Sequence, residues 1–185
     1  MADEELKYGV FNKPEESNPS PVVSEIATDL ENNRYLLFSI LDIVFATPLL
    51  EAKEVLEMVE YQRIPNTTEY FLGIANVRGD VIGIVDLKAM LNVKENQNEQ
   101  NDLEKPVLIV FQTSHGLLGI KVDAIRGVKD IDPNEIDTQP HIKARVPQEY
   151  LLGVAKTSNQ LISVIAIKKI LNDDDMLTIK RSMAS

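Results

Sequence analysis

An all-β fold made of two small, similar barrels is predicted for this 185-residue chain, on three observations. Short apolar runs of strand length, rich in Ile, Val, Phe and Tyr and bordered by Gly, Asn, Pro or Ser, recur from Arg34 onward. The second part of the chain repeats the first. Each copy supplies about five such runs, and closing a short sheet into a barrel removes strand edges that otherwise recruit other chains.

Taken in order, residues 1–33 are acidic and polar, with Pro14, Pro19 and Pro21 in a Ser/Asn-rich setting. They carry too little apolar surface to offset the entropy of ordering, which predicts a flexible acidic arm. Strand-length runs follow at Tyr35 to Ile40, Ile43 to Phe45, Tyr70 to Val77 and Val81 to Val85. Between them, Leu49, Leu50, Lys53, Val55 and Leu56 fit a helix by spacing as well as a strand. Residues 92–106, dense in Asn, Gln and Glu and ending at Pro106, read as a linker. Four more runs follow: Val107 to Phe111, Leu117 to Val122, Leu151 to Val154 and Leu161 to Ile167. Beyond Leu171, Asn172 and Asp173 are placed to cap a helix that has acids at its start and Lys180 and Arg181 at its end, giving a C-terminal helix and tail over 172–185.

The repeat has two blocks. With a shift of 73 (111 − 38), Tyr35 to Met58 lies ungapped on Leu108 to Ile131, pairing Phe38 with Phe111, Phe45 with Leu118 and Val55 with Val128. With a shift of 80 (150 − 70), Tyr70 to Leu91 lies on Tyr150 to Leu171, with seven of 22 positions identical, among them Gly73/Gly153 and Ala75/Ala155. Ordinary composition gives about one or two by chance. The two copies span roughly 34–91 and 107–171 within one unit of 34–171.

A polar residue found in one copy and not at the matching place in the other is not demanded by the shared fold. Asn76-Val77-Arg78-Gly79-Asp80 stands against Lys156-Thr157-Ser158-Asn159-Gln160. Arg78 is therefore free of the general fold, and arginine's planar, multi-donor head suits it to interfaces; the plainer reading is a solvated turn residue or a local salt bridge. Gly79 fits a hairpin turn that needs positive φ, a task Asn159 also performs. Asp86 stands against Ala166 and is placed to cap the short helix beginning at Leu87.

Charge and composition exclude several classes. A formal net charge of −10 repels phosphate backbones, so nucleic acid is a poor partner and proteins are better ones. No run reaches the roughly 18 to 20 apolar residues of a membrane span, and the acidic start Met1-Ala2-Asp3-Glu4-Glu5 is unlike a secretory signal. A cytoplasmic protein is expected, consistent with the absence of cysteine. No Gly-rich phosphate loop, Ser-centred elbow or paired histidines at metal spacing occurs. His115, in a turn, and His141, in a loop, read as ordinary loop histidines. No catalytic residue, metal site or cofactor is expected.

The segment Gly73-Ile74-Ala75-Asn76-Val77-Arg78-Gly79 followed by Ile84-Val85-Asp86-Leu87 closely resembles the CheW chemotaxis coupling proteins. The likeness runs from about Arg34 to Leu171 and includes Leu37-Phe38, Lys53-Glu54-Val55, Gly119 to Val122 with Asp123, and Glu149-Tyr150-Leu151-Leu152-Gly153. It implies two intertwined, five-stranded SH3-like barrels sharing a core, with short helices. It also implies a non-catalytic scaffold that holds the regulatory domain of a chemotaxis histidine kinase beside the cytoplasmic tips of methyl-accepting chemoreceptors, in membrane receptor arrays. On the residues that match, Ala52, Lys53, Glu54 and Arg78 would meet the receptor. Gly73 would lie on the kinase side, with His141 and Ile142 at a second kinase contact where the family places a charged and an aromatic residue. Leu41-Asp42-Ile43-Val44 departs from the family's polar, Gly-containing turn, so a first hairpin that is extended or adapted to a partner is expected. The alternatives are an adaptor of the same kind in a non-chemotactic pathway, or a duplicated barrel binding a small ligand between its halves.

Overall fold

The computed structural model describes residues 33–93, 105–139, 146–147, 150–157 and 160–167. The acidic arm up to residue 32, most of the linker and the C-terminal helix lie outside the described residues. Eleven strands are described: β1 (Arg34–Ile40), β2 (Ile43–Pro48), β3 (Ala52–Glu57), β4 (Phe71–Val77), β5 (Asp80–Asp86), β6 (Val107–Thr113), β7 (Gly116–Val122), β8 (Ala124–Asp130), β9 (Ile136–Asp137), β10 (Leu151–Lys156) and β11 (Leu161–Ile165), with one short helix, α1 (Leu87–Met90).

The ambiguous stretch after β2 resolves as one 3₁₀ turn, Leu49–Glu51, and then strand β3. In β3 exposure alternates residue by residue, the period-2 signature of a strand with one face half-covered. The first hairpin is not extended: β1 and β2 are joined by the two residues Leu41 and Asp42. Leu41 has φ 54°, and its N–H donates to Asp123 Oδ2 at 2.6 Å, so an acid from the second copy fixes this turn.

The strands form two sheets, in the orders β8-β1-β2-β11-β10-β9 and β3-β6-β7-β5-β4. Each sheet draws on both copies of the repeat. Hairpin β1–β2 of the first copy joins β8, β10 and β11 of the second, while hairpin β6–β7 of the second joins β3, β4 and β5 of the first. The exchange is symmetrical: β2 runs parallel to β11 in one sheet as β7 runs parallel to β5 in the other. Even the closing contacts correspond, since β9 pairs with Val154 and Ala155 where the isolated bridge Gln62–Ile74 serves the first barrel.

Three apolar clusters follow from this arrangement. Tyr35, Leu37, Ala155, Ile162 and Val164 fill the barrel that contains β1. Ala75, Ile84 and Leu108, with Leu56 and Leu72 against them, fill the other. The largest cluster joins residues of both sheets, including Phe38, Phe45, Phe111 and Leu118. Those four are the matched aromatic and aliphatic positions of the repeat, and all are sealed from water. The rings of Phe38 and Phe45 stack at a centroid distance of 5.7 Å. Burying a side chain of this size contributes about 1.5–3 kcal/mol, so the shared core binds the barrels to each other. Strand β1 shows the cost in sequence: with one face in a barrel and the other in the shared core, every residue after Arg34 is buried.

Candidate functional site

The candidate site is built on the barrel containing β3, β4 and β5, at the turn Asn76–Asp80 where no residue matches the other copy. Strands β3 and β4 are the terminal strands of their sheet. Register between β3 and β6 slips between Ala52 and Glu54, leaving Lys53 as an extra, exposed residue at a bulge. Bulges re-aim side chains, and this one lies within the segment Ala52, Lys53 and Glu54.

Hairpin β4–β5 turns on Arg78 at φ 54° and Gly79 at φ 95°. Two consecutive positive φ values are the mark of the tight turn whose twist matches paired strands. Glycine adopts that region freely; arginine does not. Asn76 holds the turn, its Oδ1 accepting from the Gly79 N–H at 3.1 Å. The Asn and the Gly of this motif thus build a platform on which Arg78 is displayed.

Arg78 meets Glu54. Its Nη1 lies 3.1 Å from Glu54 Oε2, with the Arg78 side chain 76% exposed and that of Glu54 29% exposed. Two of the four residues expected at the receptor contact, 24 apart in sequence, therefore touch. An exposed pair of this kind contributes at most about 1 kcal/mol to stability, so its value to the fold is small. A groove of about 400 Å³ runs alongside, lined by Glu60, Tyr61, Gln62, Ile74, Asn76 and Val81 among others.

Gly73 precedes Ile74, which lines that groove. It is buried, has φ 146°, and sits at a bulge in β4. Gln62 and Ile74 exchange backbone hydrogen bonds of 2.7 and 2.9 Å beside it. A Cβ at this position would fall onto the carbonyl oxygen of Gln62. The matching Gly153 is equally crowded, against Ile136 and Asp137. The glycine is thus a requirement of both barrels. His141 and Ile142 lie outside the described residues.

Asp86 does two things. Its Oδ1 accepts from the Ala89 N–H at 3.2 Å, capping α1, and its Oδ2 lies 2.8 Å from Lys121 Nζ. Sequence reading anticipates the cap and misses the lysine, although the signal was present: Lys121 stands opposite Pro48 at the shift of 73 (121 − 73), so it too is specific to one copy. His115 sits in an exposed-side turn, its Nδ1 2.8 Å from Ser114 Oγ. Among the described residues no group of three or more His, Cys, Asp or Glu is placed to hold a metal, and no helix is long and apolar enough to cross a membrane.

Comparison with known proteins agrees with this fold. The family model described as CheW-like domain matches residues 34–175. The chemotaxis protein CheW of Klebsiella aerogenes is 26% identical over 154 residues, covering 83% of this chain and 90% of that protein. The chemotaxis protein CheW of Helicobacter pylori is 25% identical, over 76% of this chain and 82% of its own. Among solved structures, the scaffolding protein TtCheW from Thermoanaerobacter tengcongensis superposes with a TM-score of 0.66 at 24% identity, covering 78% of this chain and 90% of that one.

Proposed function

Because the chain belongs to the CheW-like domain family, we propose that it works as a chemotaxis scaffold, an adaptor without catalytic activity that couples chemoreceptors to a histidine kinase. The observation that carries the reading is the contact of Arg78 with Glu54 on the edge of one barrel only. A guanidinium held up on a strained turn, loosely tied to a carboxylate and mostly in water, is arranged to exchange its partner for one on another protein.

In this reading Ala52, Lys53, Glu54 and Arg78 receive the cytoplasmic tip of a methyl-accepting receptor. The kinase's regulatory domain takes a surface shaped by Gly73, with His141 and Ile142 contributing a second contact. The protein then resides in the cytoplasm and is recruited to receptor arrays. A ligand held between the halves is disfavoured because Phe38, Phe45, Phe111 and Leu118 fill that space.

Calorimetric titration into the isolated regulatory domain of the cognate kinase, and separately into a receptor-tip fragment, tests this. Saturable binding to both, with the receptor arm alone weakened by Arg78→Ala, is the expected result. No heat with either partner overturns the proposal.

A further inference from the structure

We propose that the outer edge of β8 pairs with the same edge of a second molecule of this chain, antiparallel and centred on Val128, giving a two-fold symmetric dimer. Strand β8 ends its sheet, and among the described residues β1 is its only neighbour. The Ile131 N–H donates to Asn33 O at 2.9 Å. That bond sets the phase of the ladder. With Leu36 opposite Val128 and Arg34 opposite Asp130, the backbone groups of Val128 and Asp130 turn away from β1 and towards an incoming strand.

The side chains specify which strand comes in. Val128 is a large apolar residue left 46% exposed, flanked at two-residue spacing by exposed Arg126 and Asp130. Antiparallel pairing about Val128 sets Val128 against Val128, and Arg126 of each molecule against Asp130 of the other. Opposite charges directly across a ladder stabilise it, and like charges oppose it. A slip of two residues puts valine against aspartate, and parallel pairing in register puts arginine against arginine, so one register satisfies all three positions. In the single molecule Arg126 Nε donates to Ser39 Oγ at 3.0 Å and Asp130 lies 3.9 Å from Arg34 Nε with its side chain 79% exposed, so pairing exchanges these contacts within β1–β8 for ones between molecules.

The other barrel carries the same pattern at the matching positions, Lys53, Val55 and Glu57 on β3, with Val55 43% exposed. That edge is assigned above to the receptor. The two proposals are independent, because one concerns β3 and the other β8. The bulge at Arg126, which leaves Gly127 at φ 111°, limits how far the second strand can run. The interface is therefore small and the dimer concentration-dependent.

Sedimentation equilibrium over a wide concentration range tests the proposal on the full chain. Wild type should show a reversible monomer–dimer equilibrium. Val128→Lys should weaken it about 10-fold or more, with an unchanged melting curve, while Val55→Lys leaves it intact. Arg126→Asp alone sets acid against acid and Asp130→Lys alone sets base against base, so each should be monomeric. Mixed together, they should form a heterodimer. A wild type that stays monomeric, a dimer lost in Val55→Lys but kept in Val128→Lys, or a mixture that fails to associate would each overturn it.

Discussion

Gly73 and Gly153, 80 residues apart in the repeat (153 − 73), occupy the same crossing in the two barrels. At Gly73 an added Cβ meets the backbone of Gln62 and Arg63, and at Gly153 it would lie 2.5 Å from Ile136 Cγ2 and 2.7 Å from Asp137 O. Backbone cannot rotate out of the way as a side chain can. Gly73→Ala, which also carries the positive φ, should destabilise the protein by about 3 kcal/mol or more, measured as a fall in the urea midpoint. Loss of kinase binding in that variant would then reflect the crossing and not a lost surface contact.

Arg78 should be worth more to a partner than to the fold. A non-glycine residue in the left-handed region costs of order 1 kcal/mol, and Asn tolerates it best after Gly. Arg78→Asn should therefore raise unfolding stability by about 0.5–1 kcal/mol, after allowing for the lost exposed pair with Glu54. The same variant should bind a receptor-tip fragment less tightly. Equal loss of stability and binding would contradict the division of roles.

Asp86 allows its two contacts to be separated. Asn is a good helix cap and carries no charge, so Asp86→Asn keeps the bond from Ala89 and loses the Lys121 pair, whereas Asp86→Ala loses both. The alanine variant should be less stable than the asparagine variant by about 1 kcal/mol. Lys121→Met in the Asp86→Asn background should then cost little further, since the pair is already gone. Chemical denaturation of the four proteins measures each step.

Burial raises the phenol pKa of Tyr35 above its ordinary value of 10.0. The folded state therefore holds this proton at alkaline pH where the unfolded chain releases it. Stability should fall as pH rises above the ordinary tyrosine value, until the folded-state value is passed. Below pH 10 no such slope arises from this group. The difference between wild type and Tyr35→Phe, followed by thermal melts across that range, isolates it from the other tyrosines.

Sequence pattern located the strands that carry buried residues and left ambiguous or passed over those that carry none, β3, β8 and β9. Strand β1 is buried from Tyr35 onward and β7 is buried at Leu118, Gly119 and Ile120, and both stand out as apolar runs. Strand β8 is exposed from Arg126 to Asp130 and carries no apolar period; only its match to the ambiguous Ala52–Glu57 stretch pointed to it. The turn at Arg78 was legible because Gly79 announces positive φ. Its contact with Glu54 was not, because a pairing across 24 residues is a property of the folded barrel. The crossing at Gly73 shows the opposite limit: the glycine was visible in both copies, but the carbonyl it accommodates was not.

The exchange of hairpins between the copies bears on how a signal could pass through the molecule. Strand β2 belongs to one barrel and β3, a 3₁₀ turn later, to the other. Neither copy holds a complete set of strands for itself, so a nicked or halved chain would yield two pieces that must find each other before either acquires its shape. For the same reason the barrels cannot swivel as beads on a string. Turning one against the other means shearing the Phe38–Phe111 core or drawing a hairpin out of its ladder. A push delivered at one end arrives at the other as a movement of the whole, as along a beam.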